Sequence, residues 1–288
     1  MNSKLAWLGT ASAYIVAIFI AWAVSSSGSS KIDEIPVAWA CIGLAFVIQI
    51  AGFCVAWVKR SEKFFDALGA ITFLAVTWLA IWLADQVDTP RLLLAAMVSV
   101  WALRLGVFLS TRIRRTETDR RFNQIRNDFS VFYMTWMMQG LWVTLSLAPA
   151  LVIFTANYAI SFDIYFLIGG ILWVLGFGTE CVADAQKNRF ANDAENKGKF
   201  ITTGLWSRSQ HPNYFGEIML WLGIAVISIP TLVSWQYFVL ISPVFVYVLL
   251  VHISGIRMLN ATAKRRWGED LAYKKYTQST PKLFIRPW

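Results

Sequence analysis

The chain has 288 residues, 57% of them hydrophobic, 15% charged and 15 of them tryptophan, with a mean hydropathy of +0.53. Soluble domains average about 25% charged residues, so this composition excludes one or two soluble domains of that length and predicts a polytopic membrane protein. The formal net charge of +9 is spread over alternate connections between apolar runs, which excludes nucleic acid as the partner it serves.

Runs of about 20 apolar residues, the length that crosses a bilayer core, fall at 5–25, 36–58, 65–84, 92–111, 132–157, 162–183, 213–231 and 234–255. They predict an all-α bundle of seven or eight transmembrane helices in a single domain over 1–288, with no Rossmann domain. The first run carries only Lys4 before it and is too long for a cleaved signal, so it reads as an anchor helix; lying flat, it would leave seven spans. Cys41, Cys54 and Cys181 have no paired spacing and read as small core residues.

The turn at 59–66 is basic, as are the connections expected at 112–131 and 184–212, and the tail after 255 carries eight basic residues. The intervening connections hold only Lys31 and Arg91 between them. By the positive-inside rule the basic connections and both termini face the cytoplasm. Short loops and no retention signal point to a bacterial inner membrane. Orientation and attraction to anionic lipid account for part of this charge. They do not account for its mixture with other polar groups in TETDRRFNQIR (116–126) and ECVADAQKNRF (180–190).

Polar groups inside apolar runs are costly and mark sites. Gln49, Gln139 and His252 read as helix–helix hydrogen-bonding residues. Glu62 and Asp66 are spaced i,i+4 at the entry of the third run, either as an acid pair for proton work or as first-turn charges that favour the helix dipole. Arg104 lies two turns before Arg112, about 12 Å deeper at ~1.5 Å per residue; it snorkels or serves a site. Gly169, Gly170, Gly176 and Gly178 give the sixth run a small face for close packing. Glu180 closes that run, with Asp184 one turn on. The stretch SRSQHPNYFGE (207–217) then puts Arg208, His211, Asn213, Tyr214 and Glu217 around Pro212, which suits a first helical turn. Free backbone N–H groups at such a start attract phosphate or carboxylate, and the polar set predicts a ligand with a phosphate part and an amide or polar-ring part. In the amphipathic tail, Tyr273 and Tyr276 either face these loops or anchor at the membrane interface.

HPNYFGE, followed by WGEDLAYKKYTQSTPKLFIRPW, resembles the steroid 5α-reductase family and its bacterial relatives. A similar layout occurs in isoprenylcysteine carboxyl methyltransferases and sterol C14 reductases. The resemblance covers roughly 96–288, including WALRLGVFLSTRIRR, TDRRFNQIR and ECVADAQKNRF, and fades before residue 60. It implies an NADPH site within a helical bundle, in keeping with the lack of a G-x-G-x-x-G fingerprint, and reduction of a lipophilic enone such as a 3-oxo-Δ4 steroid entering from the bilayer. No obligate protein partner is implied. Asn213, Glu217 and Asp184 match the family's cofactor positions. Arg104, Arg112, Arg115, Arg121 and Arg126 would hold phosphates, with Glu180, Lys187, Arg189, Arg208, His211, Tyr273 and Tyr276 as further cofactor candidates. Where family reductases carry a carbonyl-binding tyrosine this chain has Trp101, so Glu62, Asp66 and Tyr214 are the candidates for that role. A methyltransferase using S-adenosylmethionine is the competing expectation.

Overall fold

The computed structural model describes residues 2–116 and 122–286, with all their side chains except those of 110–116, 123 and 124. Among the described residues, eight helical stretches are long and apolar enough to cross a membrane. The protein is an all-α polytopic bundle. By contact density the chain forms two compact units, Met1–Asp163 with Ser228–Ile241, and Ile164–Ile227 with Ser242–Trp288.

The first unit contains α1 (Ser3–Val24), α2 (Val37–Lys59), α3 (Phe65–Trp82), α4 (Thr89–Thr116), the short α5 (Phe122–Ile125) and α6 (Phe129–Thr155). Helix α6 is the hub, packed by α1, α2 and α3, and 89% of its apolar window is buried. Asp128 starts it by accepting hydrogen bonds from the N–H groups of Ser130 and Val131, a side-chain N-cap. Helix α2 ends at Arg60, whose φ of 48° is left-handed, while Ser61 N–H donates back to the Ala56 carbonyl, a C-terminal cap that stops the helix. Between α1 and α2, β1 (Lys31–Ile32) and β2 (Ile35–Pro36) pair antiparallel through Asp33 and Glu34. Both have positive φ, 44° and 71°, as a two-residue type I′ hairpin requires.

Several sequence expectations change here. Arg91 is not a connection charge: it lies in the first turn of α4, fully buried. Its guanidinium donates to the carbonyls of Ile153 at 2.9 Å, Ala156 at 2.7 Å and Tyr158 at 2.6 Å, and pairs with Asp88. These carbonyls lie in the last turn of α6 and just beyond it, so the arginine caps α6 from another helix. The stretch after 111 is not all connection, because α4 continues to Thr116 and α5 follows. Gln49 and Gln139 do bond between helices, to Thr72 Oγ1 at 2.8 Å and the Phe65 carbonyl at 3.1 Å. His252 does not; it is exposed, with its ring edge-on to Tyr247. Cys54 is exposed on the outer face of α2, whereas Cys41 is buried and Cys181 half-buried.

The second unit contains α7 (Ile164–Asn192), α8 (Pro212–Ser228), α9 (Ile241–Val248, entering from the first unit), α10 (Ile256–Trp267) and α11 (Leu271–Ser279). The expectation that Glu180 closes its helix fails. Helix α7 runs on to Asn192, since CVADAQKNRF offers helix formers and no breaker. Glycine governs how α7 meets α8. A Cβ on Gly176 would stand 2.6 Å from the Gly216 carbonyl oxygen, and one on Gly216 would stand 2.5 Å from that of Gly176. Gly223 meets Gly169 in the same way, 2.5 Å from its carbonyl oxygen. Two glycines two turns apart on each helix thus let the backbones touch. Gly170 and Gly178 face nothing within 4 Å. The expected run 234–255 is not one regular helix either: 3₁₀ turns over Ser234–Leu240 lead into α9, and a π-turn at Leu249–Ile253 precedes the break at Gly255.

Candidate functional site

The site grows from the start of α8. Residues 208–210 are stitched to the tail: Gln210 N–H donates to the Pro281 carbonyl at 2.9 Å, Ser209 Oγ to that of Leu283 at 2.7 Å, and Arg286 N–H to that of Arg208 at 3.1 Å. Ser209 Oγ also accepts from His211 N–H at 3.1 Å. The polypeptide is therefore fixed immediately before Pro212, the first residue of α8.

Two groups of the expected residues then separate. On the face toward α7, Asn213 Nδ2 donates to Asp184 Oδ1 at 3.2 Å. Glu180, Asp184 and Glu217 are all buried, Glu180 four residues before Asp184 and Glu217 four after Asn213. Gly216 brings the helices together at this level, since its Cβ would lie 2.7 Å from the Glu180 nitrogen. Tyr214 turns elsewhere. It packs on Val251, Ile256 and Leu283, with its ring stacked on His211 at 5.7 Å and 13°.

His211 is 7% exposed and its Nε2 lies 3.3 Å from Asn260 Oδ1. Burial, with Lys187 and Lys282 nearby, pushes its imidazole down to about 4, against a smaller upward pull from the Asn260 bond.

His211 also lines a cavity of about 730 Å³ in this unit, within the range of about 300–1,000 Å³ usual for small-molecule sites. Lys187, Lys197, Lys199 and Arg266 contribute its charge, and no carboxylate appears among the described residues that line it. Phe200, Trp206, Trp267, Tyr273 and Tyr276 supply aromatic wall. Each is held: Trp206 Nε1 donates to the Ala183 carbonyl at 3.0 Å, Tyr276 Oη to that of Trp206 at 2.6 Å, and Trp267 Nε1 to that of Gly198 at 2.6 Å. Gly198 has φ +82°, a conformation suited to glycine, and sits between the two lysines of KGK. Phe200 meets Tyr273 edge to face at 5.1 Å, and Lys187 Nζ lies 4.7 Å from the Trp206 ring. Burial raises the Tyr273 phenol, and burial together with Tyr273 pushes Tyr276 up to about 12. Both tyrosines thus face the loops. Ammonium and guanidinium groups pair with anionic oxygens and aromatic faces stack on flat rings, so this lining suits an anion that carries a planar ring. Phe200, Trp206, Asn260 and Trp267 were not singled out by sequence; the aromatics beside KGK and RRW were the available signal.

The remaining candidates divide by unit. Arg189 is exposed and Arg208 half-buried in the second unit; neither lines the cavity. In the first unit Glu62 is 2% exposed, with Oε2 3.7 Å from Arg126 Nη1. It precedes α3 rather than sharing a helical turn with Asp66, which lies in the first turn of α3. Arg60 stacks on Trp57 at 3.8 Å and donates to the Arg126 carbonyl at 3.4 Å. Arg104 is half-buried, its guanidinium 5.4 Å from the Phe108 ring. Trp101 is fully buried against Phe73. Arg112 and Arg115 lie on α4, but their side chains fall outside the described residues, as does Arg121 entirely. Among the described residues no group of three or more His, Cys, Asp or Glu is arranged to hold a metal ion.

The model of a protein family described as of unknown function, DUF1295, matches residues 52–280. This chain belongs to the DUF1295 family. The family match takes in the end of α2 and all of α3 to α11, including both units' buried carboxylates and the cavity. A probable O-methyltransferase, ustE, of Ustilaginoidea virens is 38% identical over 64 residues, which is 22% of this chain and 22% of that protein. The chain thus spans under a quarter of that curated relative's length. No solved structure matches it.

Proposed function

We propose that this DUF1295 protein is a membrane enzyme of the superfamily that unites steroid 5α-reductases with isoprenylcysteine methyltransferases, and within it an NADPH-dependent reductase of lipophilic enones such as 3-oxo-Δ4 steroids. The observation that carries the choice is the cavity lining, four cations and an aromatic wall with no carboxylate among its described residues. Such a lining favours a phosphate-rich nucleotide and disfavours the sulfonium of S-adenosylmethionine, a cation. The basic connections would face the cytoplasm, where NADPH is available.

In this reading Lys187, Lys197, Lys199 and Arg266 hold phosphate oxygens, and Phe200, Trp267 and Tyr273 border the base. Asn213, fixed by Asp184, orients an amide head group, with Glu217 and Glu180 as further acceptors on the same two helices. When bound, NADPH supplies hydride for the β carbon of the enone. The developing enolate then needs a hydrogen-bond donor at its oxygen, and a proton completes the α carbon. The candidates for that donor are Glu62, Asp66 and Tyr214. They are separable: Tyr214→Phe removes a donor without changing charge, whereas Glu62→Gln or Asp66→Asn removes an acidic limb from the pH–rate profile.

The test is incubation of purified protein with NADPH or S-adenosylmethionine and a panel of 3-oxo-Δ4 steroids, following NADPH absorbance and product mass. Asn213→Ala and Glu217→Ala should each lower turnover by about 100-fold or more, the scale of a lost preorganised contact, while the protein still folds. Wild-type-like turnover in both variants would remove the site assignment. A second reading, methyl transfer to a lipid-like acid or thiol, is favoured by the 64-residue likeness to a probable O-methyltransferase. A methylated product with no NADPH consumed would establish it in place of the first.

A further inference from the structure

Among the described cavity-lining residues, His211 is the only side chain that ordinarily titrates near neutral pH. It is held by Ser209 at its backbone, Tyr214 on its face and Asn260 at Nε2. An amide oxygen at Nε2 places the ring proton there and leaves the Nδ1 lone pair as the site for a second proton. The surrounding elements oppose that second proton. Lys187 faces it from α7 and Lys282 from the tail. Tyr214 on α8 and Asn260 on α10 are neutral, and across the cavity stand Arg266, Tyr273 and Tyr276. The described lining holds no carboxylate, so an anionic ligand would bring negative charge to the space beside the ring.

We propose that ligand binding in this cavity is proton-linked: an anionic ligand enters together with a proton that is taken up by His211. The imidazole is neutral at pH 7 in the free protein, because burial and the two lysines hold it at about 4. Phosphate oxygens beside it reverse the local field and favour the charged ring. The bound state then carries the higher affinity for protons, so ligand affinity rises as pH falls from the ordinary imidazole value of about 6.5 toward the free-state value. The inference deepens the nucleotide reading of the same site, but it needs only an anion.

The experiment is titration calorimetry on the full-length, detergent-solubilised protein with NADP⁺, and separately with inorganic pyrophosphate. It is run across roughly pH 5 to 8, the range in which imidazole titrates, in buffers of different ionisation enthalpy. Wild type should take up a proton on binding, with Kd tightening by up to about tenfold per pH unit. His211→Gln should still bind but lose that uptake, keeping only the ligand phosphates' own pH dependence. Lys187→Met, the second variant, should show smaller uptake, because its free-state imidazole is less suppressed. Equal uptake in wild type and His211→Gln, or full uptake retained only in Lys187→Met, overturns the proposal. Pyrophosphate binding with uptake, but no NADP⁺ binding, leaves the proposal standing and removes the nucleotide reading. Failure of both probes to bind removes both.

Discussion

Arg91 and His211 are buried for opposite reasons. Arg91 keeps its charge because three carbonyls at the end of α6 and the Asp88 carboxylate satisfy it. Removing one partner of a buried ionic network costs about 3–5 kcal/mol, so Arg91→Ala should lower the thermal midpoint markedly, and Arg91→Lys should recover only part of it, since one ammonium cannot reach all the acceptors in the guanidinium's plane. Differential scanning fluorimetry in detergent would measure both. His211 is buried neutral. Its native value of about 4 lies below the unfolded value of about 6.5, so the stability it contributes is complete above pH 6.5 and is lost as pH falls toward 4. The loss is of the order of 3 kcal/mol. A pH series of thermal midpoints should fall through that window in wild type and fall less in His211→Gln.

The contact of α7 with α8 is where an element-level rule decides the site. Their crossing is set by Gly169, Gly176, Gly216 and Gly223, all of which would place a Cβ against backbone. Gly216→Ala must push α8 off α7 and should cost about 1–3 kcal/mol, the range for overpacking. It should also separate Asn213 from Asp184, so activity should fall with stability. Gly170 and Gly178 are open, and Gly170→Ala or Gly178→Ala should stabilise by about 0.5–1 kcal/mol through helix propensity. Unfolding midpoints and turnover of the three single variants would distinguish the two classes. The sequence marked the α7 glycines as a small face, yet it could not tell Gly176 from Gly178; only the partner helix makes that distinction.

For the molecule as a whole, the cationic cavity predicts salt-sensitive binding. Lys199→Ala with Arg266→Ala should weaken NADP⁺ by about tenfold or more at low ionic strength. It should also flatten the salt dependence, because exposed charges act over a Debye length of about 8 Å at physiological salt; affinity titrations at several salt concentrations would show it. Eight apolar runs were legible because a bilayer imposes a length of about 20 residues on any spanning helix. The α8 start was legible for a local reason too: Pro212 fits the first turn and forces the residue before it out of helix. The motifs that continue through the tail resemble the steroid 5α-reductase family, whereas the family shown for the chain is DUF1295. What the sequence alone could not determine is which polar groups share a space. Asn213 and Tyr214 are neighbours in the chain but turn to different surroundings, because about 100° of helix separates them. Lys187, Lys199, Trp206, His211, Asn260, Arg266 and Tyr273 come together only because the tail folds back on residues 206–210. Arg91 reads as a connection charge until the end of α6 is seen to need its donors. Length and capping are properties of one segment and can be read from it. Burial, pairing and the sign of a cavity are properties of several segments at once, and they exist only when those segments meet.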